Sequence, residues 1–187
     1  MTSHLKSPLT KPEFENKSLV FITLISFLLV LIISFVVRFA FEPISYGQLL
    51  CYQLGDSCGI VGAVCAARYT GFRGEHVAAS AFILLGITHG ISLASSGLDQ
   101  FNVERGLAVI FPMVPTFLLI GWCSLFPFWL RLVPIIPLVF LLYMYVDVVR
   151  GGEYYSTVAK LGYLFWMLTE IMWALYLLRD WKRMKQT

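Results

Sequence analysis

Along its length the chain alternates between short charged stretches and long runs that carry little or no charge. A helix that crosses a bilayer needs about 20 predominantly apolar residues, and six runs reach roughly that length. The first is the charge-free stretch between Lys17 and Arg38, rich in Leu, Ile, Val and Phe. The second extends from about Ser45 to Ala67 and is interrupted only by Asp56. The third runs from Val77 to Gly97 and is interrupted only by His89. The fourth lies between Arg105 and Arg131, and the fifth runs from Leu132 to Val149 with Asp147 near its end. The sixth lies between Lys160 and Arg179 with Glu170 halfway along. Backbone polar groups in hydrocarbon must satisfy one another, so these runs predict helices. Their apolar residues are continuous rather than alternating, which excludes a β-barrel.

The expected fold is an all-α integral membrane protein, a six-transmembrane-helix bundle with both termini cytoplasmic. Residues 1–17 form a polar N-terminal tail, 18–178 the six-helix domain and 179–187 a basic C-terminal tail. The first run is not read as a cleaved signal peptide. Its uncharged core exceeds the usual length of about 7–15 residues, and Arg38-Phe39-Ala40 is a poor cleavage site. Short connections leave no room for a second domain.

Composition agrees with the pattern. The 187 residues are 58% hydrophobic and only 13% charged, against about 25% charged in a soluble domain. Disorder, a collagen-like chain and a nucleic-acid module are excluded. The net charge of +3 hides a distribution. With both termini on one side, that side holds Lys6, Lys11, Lys17, Arg68, Arg73, Arg131, Arg179, Lys182, Arg183 and Lys185. The other side holds Arg38, Arg105, Arg150 and Lys160. This ten-to-four bias predicts cytoplasmic termini in the inner or plasma membrane. The C-terminal cluster from Arg179 to Lys185 is expected to lie against the anionic leaflet as an anchor.

Asp56, Asp147 and Glu170 fall inside the expected spans, where ionisable groups are costly and mark a pathway or a paired site. By residue count Asp56 and Glu170 lie near the midplane, whereas Asp147 is three residues from Arg150 and reaches the interface. No Lys or Arg lies within a span. The acids must therefore be protonated, face water, bind a cation, or hydrogen-bond His89, the one base at similar depth. At about 100° per residue, Tyr163, Trp166 and Trp173 lie within about 60° of Glu170 on one helix. A carboxylate among aromatic rings suits a cation; the same face also reads as packing. The small residues Gly55, Gly59, Ala63 and Ala67, and Gly86, Gly90 and Ala94, recur every four positions. They predict a close pair of helices two and three and an Asp56–His89 contact.

Cys51, Cys58 and Cys65 are seven apart on one helix face. Each step is about 10.5 Å, too long for a disulfide or a shared zinc ion, so they read as small hydrophobes. His76 and His89 diverge around their helix, which argues against bis-histidine haem within the chain. No cofactor or metal is expected. No H-E-x-x-H, G-x-S-x-G, Walker or dinucleotide motif occurs.

Three functional expectations follow. The first is a transporter or channel for a cation or proton, with Glu170, Asp56, His89, Trp166, Trp173 and Tyr163 as the ion-binding set. Pro112, Pro115, Pro134 and Pro137 would then shape or break helices four and five. The second is a non-catalytic accessory subunit bound to a membrane-protein partner or a second copy. The third is an intramembrane enzyme or sensor. A polar cavity reaching Glu170 would favour the first; Asp56, Glu170 and His89 hydrogen-bonded in a closed core would favour the second.

Overall fold

The computed structural model describes residues 11–41, 45–95, 107–152 and 156–184. Among these, all regular structure is helical: α1 (Lys11–Ala40), α2 (Tyr46–Phe72), α3 (His76–Ser95), α4 (Ile110–Gly121), α5 (Phe128–Leu132), α6 (Ile135–Val149) and α7 (Thr157–Met184). Five apolar units are long enough to cross a membrane. Four coincide with α1 over Asn16–Val37, α2, α3 and α7, and the fifth is the α5–α6 stretch Phe128–Val149. The chain is a multi-pass helical membrane protein. Helical structure continues into both polar segments, from Lys11 and as far as Met184.

Packing follows chain order around a ring. α1 packs on α2, α2 on α3, α3 on α4, α4 on α6, α6 on α7, and α7 closes the ring against α1. Each helix turns one stripe inward. On α1 that stripe is Val20, Thr23, Phe27, Val30 and Val37, at the three-to-four spacing of a helix face. Ile25, Ile32, Phe35 and Phe39 point outward, as apolar residues facing lipid do.

Small residues set the closest approaches. A Cβ at Gly62 would strike the Phe27 ring, so α1 and α2 touch there. The Thr23 hydroxyl donates both to Leu19 O at 2.8 Å and, across the helices, to Gly62 O at 3.4 Å. Gly86 faces Ala63, and Gly59 lies directly against the His89 ring. The small-residue stripes thus do pair α2 with α3, although not throughout. Gly55 faces Ile33 of α1, and Gly90 has nothing within 4 Å.

The fourth expected helix differs most from its reading. The charge-free run from 106 to 130 holds a 12-residue helix, α4, only about 18 Å long at 1.5 Å per residue. The irregular segment 122–127 follows, and then α5. The carbonyls freed in that segment find a partner. Arg131 donates through Nε to Phe126 O at 2.7 Å and through Nη2 to Ser124 O at 3.4 Å. The prolines follow expectation only in part. Pro115 sits inside α4, Pro137 is buried within α6, and the breaks fall next to Pro127 and Pro134.

One end of the ring is basic and tied together. Asp180 of α7 accepts from Tyr69 Oη at 2.8 Å and from Arg73 Nε at 2.9 Å, both near the end of α2. Ser124 bonds Glu75 in the α2–α3 turn, where Gly74 takes φ +78°, a conformation that favours glycine. The Trp181 ring meets Phe21 of α1 edge-on at 6.0 Å. The start of α1, the α2–α3 turn, segment 122–131 and the end of α7 therefore share this end.

Candidate functional site

The site is built from three helices. Asp56 lies ten residues into α2, about 15 Å along its axis, and Glu170 thirteen residues into α7, about 20 Å. His89 stands between them on α3, which runs in the opposite sense to α2. The absence of a side chain at Gly59, one turn beyond Asp56, lets the imidazole lie flush against the α2 backbone.

His89 bridges both carboxyl groups. Nδ1 is 3.2 Å from Asp56 Oδ1, and Nε2 is 2.8 Å from Glu170 Oε1. Ser92, one turn further along α3, donates its hydroxyl to Asp56 Oδ2 at 2.8 Å. The Asp56–His89 contact expected from the small-residue spacing is therefore present. The same ring also reaches Glu170, so the two acids in the middle of the bundle share one base. Exposure is graded along the triad: the side chains of Asp56, His89 and Glu170 are 15%, 3% and 0% exposed.

The aromatic residues divide. Trp166 lies over the His89 ring, with centroids 5.0 Å apart and planes at 32°. Tyr163 is one step beyond, 5.8 Å from Trp166. Trp173 instead packs among Phe82, Phe117 and Phe126 at 5.6–6.4 Å. In the triad the imidazole occupies the position between ring and carboxylate that a bound cation would take. Three buried polar atoms on this face of α7 have no hydrogen-bond partner among the described residues: Glu170 Oε2, Trp166 Nε1 and Trp173 Nε1. A buried polar atom without a partner costs about 1–3 kcal/mol.

Asp147 lies apart from the triad, at the end of α6. Its carboxylate rests against Gly152, and its carbonyl accepts from the Gly152 amide at 2.9 Å. The four cysteines are free, with Cys51, Cys58 and Cys65 only partly buried along α2 and Cys123 buried. Ser92 is the triad's neighbour that the sequence reading did not assign to it, and Gly59 entered that reading only as part of the small-residue stripe. Their signal was spacing: each lies three residues after a triad member, on the same helix face.

Chemically, an imidazole between two carboxyl groups is a proton-exchange device. It takes a proton at one nitrogen and releases one from the other, and either carboxyl can be donor or acceptor. These features define a multi-pass helical membrane protein whose α2, α3 and α7 are joined by a carboxyl–imidazole–carboxyl triad, buried at His89 and Glu170 and partly exposed at Asp56. No protein-family model, curated protein or solved structure matches the chain.

Proposed function

We propose that the protein moves protons across its membrane, alone or coupled to another solute, with Asp56, His89 and Glu170 as the relay. The observation that carries this is the continuous hydrogen-bonded path from partly exposed Asp56 through both nitrogens of His89 to wholly buried Glu170. A proton arriving at Asp56 passes to His89 Nδ1, and the proton on Nε2 passes to Glu170 Oε1. One proton leaves Asp56 and one reaches Glu170 while the imidazole itself gains no net proton; turnover then requires Glu170 to release its proton to an acceptor beyond the triad. The imidazole returns to its starting tautomer before the next transfer. The site suits a proton better than a larger cation, because His89 fills the space beneath Trp166. Ser92 holds Asp56 in place.

The proposed topology is six crossings, with the basic end cytoplasmic. Ser95 ends α3 away from the α2–α3 turn, yet Ser124 bonds Glu75 within that turn. The chain thus returns across the ring through α4, short as it is. Lys17, Arg68, Arg73, Arg131, Arg179, Lys182 and Arg183 gather at this end. The bias favours a cytoplasmic location and an inner or plasma membrane.

A second reading is an accessory subunit in which the triad only holds α2, α3 and α7 together. The arrangement expected of it is present: Asp56, His89 and Glu170 are hydrogen-bonded to one another, with Glu170 wholly buried. Proton flux in liposomes separates the two, with wild type, Glu170→Gln and Asp56→Asn compared against empty vesicles. Relay predicts flux in wild type and loss in both variants. Absence of flux from folded wild-type protein supports the accessory reading and counts against a relay that works without a partner.

A further inference from the structure

We propose that the outward face of α7 is a binding site for an anionic phospholipid of the leaflet at the basic end, with Arg179, Lys182 and Arg183 holding the headgroup phosphate. The face is continuous. Leu168 and Leu175 are exposed one step of seven residues apart, and the next step is Lys182. Seven residues are nearly two helical turns, about 10.5 Å, so an acyl chain from that leaflet lies along these two leucines and ends at the bases. Arg179 and Arg183 lie one turn apart beside that stripe, and all three bases are exposed.

What makes the face selective is the position of its one acid. Within 179–184 the only carboxylate is Asp180. It is turned the other way, into the ring, where Tyr69 and Arg73 engage it and leave it 13% exposed. Trp181 is also turned inward, against Phe21. The inward pairing leaves three positive charges on the outward side without a neighbouring acid of their own segment. An apolar stripe that runs into a basic cluster fits a lipid phosphate rather than a soluble one, since a free phosphate would have no use for the leucines.

Native mass spectrometry of the full-length protein in detergent tests this directly. The probes are phosphatidylglycerol, phosphatidylcholine and inorganic pyrophosphate. Each base near an anionic headgroup contributes about fivefold to binding. Wild type is expected to retain phosphatidylglycerol over phosphatidylcholine, and the triple variant Arg179→Gln/Lys182→Gln/Arg183→Gln to lose at least about tenfold of that preference. Lys160→Gln, at the opposite end of α7, is expected to change nothing. Arg179→Lys/Arg183→Lys keeps the charge and is expected to keep the preference, which also covers a failure of the triple variant to fold. Equal retention of both lipids by wild type, or an equal loss in Lys160→Gln, overturns the proposal. Pyrophosphate binding that displaces the lipid overturns the assignment to a lipid headgroup.

Discussion

Gly59→Ala is the sharpest structural test of the triad, because it adds one methyl group at the point where α2 meets His89. The new Cβ would fall on ring atoms Cε1, Nδ1 and Cγ of the imidazole, far inside contact distance. Neither side yields easily. The ring is anchored at both nitrogens, and Gly59 belongs to a backbone that also packs on α1 through Gly62. Overpacking costs about 1–3 kcal/mol, and the displaced hydrogen bond to a carboxylate about 1.5–3 kcal/mol. Replacing glycine within a helix returns about 0.5–1 kcal/mol. The net expectation is a loss of about 2–4 kcal/mol, or on the order of 10 °C in melting temperature for a chain of this size. Gly90→Ala on α3 is the matched control. Nothing lies within 4 Å of its Cβ, so it is expected to be neutral or to stabilise by up to about 1 kcal/mol. Thermal unfolding in detergent, followed by tryptophan fluorescence, measures both. If Gly59→Ala melts within about 2 °C of Gly90→Ala, the close approach of α2 to His89 is wrong and so is the geometry of the relay.

Other outcomes follow from the ties around the ring. Tyr69→Phe removes a hydrogen bond to a carboxylate from a wholly buried phenol; equilibrium unfolding should show a loss of about 1–3 kcal/mol. Arg73→Gln breaks a pair whose arginine is 34% exposed, and the same assay should show less than about 1 kcal/mol. A larger loss from Arg73→Gln than from Tyr69→Phe would reverse the order of importance assigned to the two bonds. Burial pushes the Cys123 thiol above its ordinary range, outside the spanning helices. The folded chain therefore keeps that proton to higher pH than the unfolded chain does. Its contribution to stability is complete below the unfolded thiol pKa of about 8.5 and declines as pH rises beyond it. A maleimide should leave Cys123 unlabelled at pH 7 and label it on unfolding; rapid labelling of the native protein would contradict its burial.

Much of the bundle was legible because membranes impose a simple rule. Stretches nearly free of charge became α1, α2, α3, α6 and α7 close to the expected places, and Asp56 and Glu170 stood out because charge is rare inside them. The Asp56–His89 contact was readable from the four-residue spacing of Gly59, Ala63 and Gly86, which brings α2 against α3. The fourth run was not readable in the same way. Freedom from charge measures suitability for lipid, not continuity of helix, and the segment after Gly121 is apolar yet irregular. Arg131 makes that irregularity tolerable by bonding the carbonyls of Ser124 and Phe126, a tertiary contact that hydropathy does not carry. For Trp173 it is the packing reading of that face, not the cation one, that matches its surroundings, for a related reason. Angular proximity to Glu170 on the helix says nothing of neighbouring helices, and Phe82, Phe117 and Phe126 draw its ring into their own cluster.

The proposed relay requires that Glu170 exchange protons with His89 as part of a path through the ring. The most direct measurement is proton flux into liposomes under an imposed potential, for wild type and for Glu170→Gln, with the fold of both verified by thermal unfolding. Glutamine keeps the size and hydrogen-bonding ability of the side chain but cannot take up and release the proton. Wild type is expected to give flux above empty vesicles, and Glu170→Gln to return to the empty-vesicle level. Equal flux from both proteins would contradict the relay.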